Sequence, residues 1–117
     1  MLFLEYPPCT TCKKAKKWLQ DNGLDFTARH IKAQNPYAEE LSQWQEKSGL
    51  ELKKFFNTSG MIYRDLGLKD KLPTMSREEQ LALLASDGML GKRPILVTED
   101  AVLVGFKEAQ WQALLQK

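Results

Sequence analysis

Between Glu5 and Thr10 the chain changes its period, and that change restricts what it can fold into. Leu2 to Glu5 is a short apolar run halted by Pro7-Pro8, which suits a buried strand running into a turn. From Thr10 onward, Cys12, Ala15, Trp18, Leu19 and Asn22 recur at helical spacing, with Lys13, Lys14, Lys16 and Lys17 on the other side. The pattern predicts an amphipathic helix that ends at Gly23. Both cysteines of the chain, Cys9 and Cys12, lie at the junction.

The spacing gives the two thiols different surroundings. Cys12 shares the stripe of Ala15 and Leu19 and should face the body of the protein, whereas Cys9 sits at or before the first turn with access to water. Free backbone N–H groups and the positive end of the helix dipole would stabilise a thiolate at Cys9, lowering its pKa from roughly 8.5 towards about 7 or below. The pattern therefore points to redox chemistry, in which exposed Cys9 attacks and shielded Cys12 closes a reversible disulfide. Lys13 and Lys14 could add to the shift or simply be solvated.

Size and charge exclude several other classes. At 117 residues with 43% apolar composition, the chain has enough material for one core, and one domain over residues 1–117 is expected. The opening Met1-Leu2-Phe3-Leu4 is interrupted by Glu5 and has no basic residues before it, so neither a signal peptide nor a membrane span is expected. A cytoplasmic location follows, where thiols are held reduced and a Cys-x-x-Cys ring is too small to staple a fold. With 17 basic and 15 acidic residues the net charge is only +2, far from the balance of an autonomous nucleic-acid binder. Zinc normally takes four ligands, which two cysteines and the distant His30 do not supply, so no metal or bound cofactor is expected.

The rest of the chain reads in blocks. Leu24 to Ile31 is expected to be a second strand beside the first, with the only histidine, His30, at its end in a structural or exposed setting. Residues 35–90 read as a helical block. Asn35 and Pro36 open a helix with Tyr37, Leu41 and Trp44 on its inner side, closing at Gly49. Shorter apolar segments at 50–56 and 61–68 flank the loop Asn57-Thr58-Ser59-Gly60, and Ser76-Arg77-Glu78-Glu79 is a capping box before a helix ending at Asp87-Gly88. Pro94 to Thr98 and Ala101 to Val104 flank Glu99-Asp100 as a hairpin, and a last helix carries Trp111, Leu114 and Leu115 on one side.

This order, together with Cys9-Thr10-Thr11-Cys12-Lys13-Lys14-Ala15, Phe55-Phe56-Asn57-Thr58-Ser59-Gly60, Lys92-Arg93-Pro94-Ile95 and Val104-Gly105-Phe106-Lys107-Glu108, resembles the arsenate reductase (ArsC) and Spx family. The resemblance implies an α/β, thioredoxin-like fold: a four-stranded mixed sheet with the helical block inserted between its halves. It further implies a cis Pro94 beside the cysteine loop, with Arg93 next to it. The site residues it implies are Cys9, Cys12 and Arg93 for chemistry, and Thr10, Thr11, Lys13 and Pro94 for substrate contact.

Two departures bear on activity. Arsenate reductases of this family carry serine followed by arginine where this chain has Cys12-Lys13, and two of their oxyanion-clamping arginines align with Asn57 and Gly105. A dianionic oxyanion needs several charge-assisted hydrogen bonds of about 1.5–3 kcal/mol each, so one arginine is too few and true arsenate reduction is not expected. The resemblance thus implies a thiol–disulfide oxidoreductase acting on an oxidised thiol or small oxyanion, reduced in turn by glutathione or by a glutaredoxin or thioredoxin system. The alternative is a redox-sensing regulator that binds the α-subunit of RNA polymerase, with Gly49 at the contact and Lys53, Lys54 and the first-helix lysines lining an acidic partner. Such regulators tend to have a tail after the last helix, whereas Lys117 follows that helix closely.

Overall fold

A computed structural model describes residues 1–116. Strand β1 (Leu2–Glu5) leads into helix α1 (Thr10–Asp21) and returns as strand β2 (Thr27–His30). Helices α2 (Ala38–Ser48), α3 (Met61–Asp65), α4 (Leu68–Lys71) and α5 (Arg77–Ser86) form the block that follows, joined by short 3-10 turns. Strands β3 (Ile95–Val97) and β4 (Val102–Val104) make the hairpin, and α6 (Glu108–Leu115) follows. The four strands form one mixed sheet in the order β2-β1-β3-β4, with β1 parallel to β2 and antiparallel to β3. This is the α/β, thioredoxin-like arrangement that the resemblance implies.

Alternation along the strands sorts the core into two layers, because successive side chains leave a strand on opposite faces. Phe3, Leu96 and Leu103 point to one face, where they pack with Ala15, Trp18 and Leu19 of α1 and Trp111 of α6. Leu4, Ile95 and Val102 point to the other, against Leu41 and Trp44 of α2 and Leu81 and Leu84 of α5. Trp111 stands edge-on to Phe3, Trp18 and Phe106, and its indole N–H donates to the Gly105 carbonyl at 3.2 Å. Each such aromatic contributes about 1.5–3 kcal/mol by leaving water, with edge-to-face contact adding to it.

Four expectations are corrected. β2 begins at Thr27 rather than Leu24, because Thr27 pairs with Leu2 and residues 24–26 lie beyond the end of β1. Leu24 instead continues the close of α1, its N–H donating to the Leu19 carbonyl at 3.0 Å. Asn22 is exposed at the helix end, its side-chain amide donating to the Trp18 carbonyl. Tyr37 is 71% exposed: it is the N-cap of α2 with extended backbone, so its ring lies outside the helical stripe and under the Arg29 guanidinium. Leu114 is 40% exposed, since α6 reaches the sheet chiefly through Trp111.

Other signals hold. Ser76 and Glu79 exchange both capping-box hydrogen bonds, and Gly49 closes α2 at φ 70°. His30 is structural, its Nδ1 accepting from the N–H groups of Lys32 and Ala33. The turn after α5 is pinned to the end of β2. Gly88 lies so close to the Ile31 backbone that a Cβ there would sit 1.9 Å from the Ile31 carbonyl oxygen. Gly88→Ala is therefore expected to force the backbone apart and destabilise the fold by about 1–3 kcal/mol, or more. Thermal unfolding would then show a midpoint lowered by at least about 4 °C, and an unchanged midpoint would contradict this packing.

Candidate functional site

The site is assembled where β1 ends. The Cys9 N–H donates to the Tyr6 carbonyl at 2.8 Å, turning the chain at Pro7-Pro8, and the Cys9 carbonyl accepts from Lys13 N–H at 3.0 Å as the first bond of α1. Cys9 is thus the N-cap residue, with extended backbone (φ −75°, ψ 125°) and a half-buried side chain at the start of the helix. The first N–H groups of a helix have no partner within it. The Cys9 side chain makes no capping hydrogen bond, but it lies near enough for the Thr11 and Cys12 N–H groups to favour its charged form.

The two thiols are free and have opposite electrostatic fates. Partial burial opposes ionisation of Cys9, but the Cys12 N–H, the Cys12 thiol, the Thr11 N–H and the Arg93 guanidinium together outweigh it and hold its pKa below that of an ordinary cysteine. Lys13 and Lys14 are exposed and are not among these groups. Cys12 is fully buried, and burial pushes its thiol up to about 12, with the neighbouring Cys9 charge adding to the rise and the Tyr6 N–H, 3.5 Å from Sγ, opposing it. Of the two, Cys9 therefore ionises the more readily and Cys12 holds its proton.

Arg93 reaches the site from the far side of the sheet centre. The Arg93-Pro94 peptide is cis, as the resemblance implies, and Pro94 is buried. The guanidinium lies 5.2 Å from the centroid of the Tyr6 ring, and Nη1 donates to the Met89 carbonyl at 3.4 Å. Tyr6 is a site residue that the sequence reading missed: its ring carries Arg93 and its N–H faces Cys12. Its position before Pro-Pro-Cys was the available signal, but an aromatic there reads equally well as core.

Of the residues expected at the site, Cys9, Cys12, the Thr11 backbone and Arg93 come together; the Thr10, Thr11 and Lys13 side chains are exposed on the first turn, and Pro94 is buried. Asn57 is tied elsewhere, its N–H donating to the Leu90 carbonyl at 2.7 Å. Arg93 is not, however, the only cation. A groove of about 530 Å³ runs from Thr11 and Arg93 along β4 and is also lined by Lys47, Lys54, Lys92 and Lys107. Among the described residues, no group of three or more His, Cys, Asp or Glu side chains gathers as metal ligands, and no helix is long and apolar enough to cross a membrane.

Comparison with known proteins agrees with this geometry. The sequence model described as the ArsC family matches residues 4–114. The crystal structure of an ArsC family related protein from Bacteroides fragilis is 58% identical, with 97% of this chain and 95% of that one covered and a TM-score of 0.93. A structure described as a possible arsenate reductase from Streptococcus mutans UA159 is 54% identical, over 91% of this chain and 90% of that one, with a TM-score of 0.85. The global transcriptional regulator Spx of Lactococcus lactis subsp. cremoris (strain MG1363) is 30% identical, over 95% of this chain and 83% of its own.

Iodoacetamide at neutral pH should modify Cys9 and spare Cys12 until the protein is unfolded, which peptide mass mapping would read. Because the Cys9 pKa is depressed, its alkylation rate should rise to a plateau with a midpoint below about 8.5. Arg93→Ala should move that midpoint up. Equal labelling of both cysteines in the folded protein, or a midpoint at or above that of free cysteine, would contradict the assignment.

Proposed function

The chain belongs to the ArsC family, and from that premise we propose that it is a thiol–disulfide oxidoreductase in which Cys9 attacks and Cys12 resolves. The observation that carries this reading is the low-pKa Cys9 sulfur at the start of α1 with a protonated, buried thiol one turn away. The Cys9 thiolate attacks one sulfur of an oxidised substrate, R–S–S–R′; the S–S bond breaks, R′–S⁻ leaves and takes a proton from solvent. Cys9 is then neutral, which removes one of the effects that raise the Cys12 thiol, burial being the larger. The Cys12 sulfur attacks the Cys9 sulfur, the Cys9–S–S–R bond breaks, and the Cys12 proton passes to the departing sulfur, which leaves as R–SH. The substrate gains two electrons and the protein loses two as a Cys9–Cys12 disulfide, which glutathione or a glutaredoxin or thioredoxin system reduces.

In this reading Arg93, held in place by the Tyr6 ring and the Met89 carbonyl, steadies the thiolate and any anionic leaving group. Thr10, Thr11 and Lys13, exposed on the first turn of α1, form the face that meets substrate; Pro94, expected there too, is fully buried and so does not take part. A cytoplasmic setting, where the dithiol is the resting state, suits this chemistry.

One observation favours a second reading, a redox-switched regulator that binds the RNA polymerase α-subunit. The Spx relative aligns along 95% of this chain. Gly49 is also exposed at the end of α2, with nothing within 4 Å of where a Cβ would be, so another chain can approach it closely. Here the same disulfide would alter a docking surface instead of completing a turnover.

Turnover of a low-molecular-weight disulfide by wild type, Cys9→Ser and Cys12→Ser separates these readings. Cys9→Ser is expected to lose activity by at least about a thousandfold, and Cys12→Ser to accumulate a mixed disulfide visible by intact mass. No turnover by wild type, together with retention of the polymerase α-subunit by one redox form only, would replace the enzyme with the switch.

A further inference from the structure

The groove beside Cys9 has a composition that the thiol chemistry alone does not require. Its lining includes Lys47, Lys54, Lys92, Arg93 and Lys107, five of the chain's 17 basic residues, and none of its 15 acidic ones. These cations come from separate elements: Lys47 from the end of α2, Lys54 from the turn after it, Lys92 and Arg93 from the approach to β3, and Lys107 from the start of α6. Lysines placed only to guard a sheet edge against aggregation would need no groove. Here Thr11 and Arg93, which line the groove, also act on the Cys9 thiol and favour its ionised form.

The floor of the groove is an unpaired strand edge. β4 is the last strand of the sheet, and the groove follows it from Ala101 to Lys107. The Gly105 N–H donates to the Pro94 carbonyl and the Thr98 N–H to the Ala101 carbonyl, each at 2.8 Å, which sets the hydrogen-bonding parity of the β3–β4 ladder. Residues 101, 103 and 105 turn their backbone groups towards β3. Val102 and Val104 therefore turn theirs outward, on the side away from β3; Val104 is half-buried and Val102 is 4% exposed, so Val104 is the more open of the two. One N–H and one C=O at each of two alternate residues is the pattern that an added strand recognises.

We propose that the groove along β4 docks an extended, acidic segment of a protein partner as an additional strand, delivering the partner's oxidised cysteine to Cys9. The inference rests on Cys9 as the attacking thiol and adds the class of substrate. An acidic polypeptide is favoured over a small anion because the cations are spread along the groove rather than clustered at the sulfur, and because the outward backbone groups of Val102 and Val104 match a peptide chain. Lys47, whose ammonium donates to the Thr98 carbonyl at 3.0 Å, holds the far end of the groove against the hairpin turn.

Binding is tested apart from the chemistry. Fluorescein-labelled decapeptides with serine at the cysteine position, flanked by Asp and Glu or by Lys and Arg, are titrated with the reduced wild-type chain and followed by anisotropy. The acidic peptide is expected to bind at least about tenfold more tightly than the basic one, with the difference shrinking as salt is raised. Lys54→Glu combined with Lys107→Glu should reverse the preference. N-methylation of alternate peptide amides should abolish binding in one parity and spare it in the other. Equal affinity for both peptides, no binding of the acidic one, or indifference to N-methylation would overturn the proposal. Reduction of the neutral bis(2-hydroxyethyl) disulfide by the same protein is followed in parallel. Reduction without peptide preference removes the docking site and leaves the thiol reading, whereas peptide preference without reduction removes the thiol reading and leaves the docking site.

Discussion

One sulfur sits at the opening of α1, and the rest of the site is arranged around that placement. A helix start is a place of partial positive charge because its first donors have no acceptor within the helix. Cys9 occupies the capping position, so its sulfur lies at that positive end even without a capping hydrogen bond of its own. The arrangement needs α1 to be held firmly against the sheet. Ala15, Trp18 and Leu19 provide this by packing on Phe3, Leu96 and Trp111, while Lys16 closes on the buried carboxylate of Glu5 at 3.0 Å. Glu5 is only 6% exposed, and a buried carboxylate without its partner would be costly, so the pair ties the last residue of β1 to the second turn of α1.

Burial then separates two chemically identical groups. Cys9 and Cys12 differ by less than one helical turn, yet one is lowered and the other raised because one sulfur lies at the helix mouth and the other beneath it. That asymmetry gives direction to the proposed exchange: attack begins at Cys9, and Cys12 acts second. Arg93 arrives from the opposite end of the chain through β3, which lies beside β1. The helical block of residues 38–86 packs the other face of the sheet and, through the end of α2, supplies one wall of the basic groove.

Much of this was legible along the sequence because it depends on local pattern. The stop at Pro7-Pro8, the helical stripe with Cys12 on its buried side, the capping box at Ser76 and the Glu99-Asp100 hairpin each follow from residues close together in the chain. The misreadings have a common cause. Tyr37 and Leu114 were assigned to inner faces because apolar residues at helical spacing look alike, whether or not a neighbour is present to cover them. The early start given to β2 failed because a strand ends where its partner does, and the partner here is Leu2, distant in sequence.

What the sequence determined by itself was the position of two thiols at a strand-to-helix junction and the unequal exposure their spacing imposes, since helix geometry repeats every few residues whatever surrounds it. Tertiary structure alone decided which charges surround the reactive sulfur. Tyr6 beneath Arg93, and Lys47, Lys54, Lys92 and Lys107 drawn along the open edge of β4 without a carboxylate among them, are brought together by strand order and helix packing. Electrostatic potential depends on distance in space, and the distances that matter here join residues far apart in the chain.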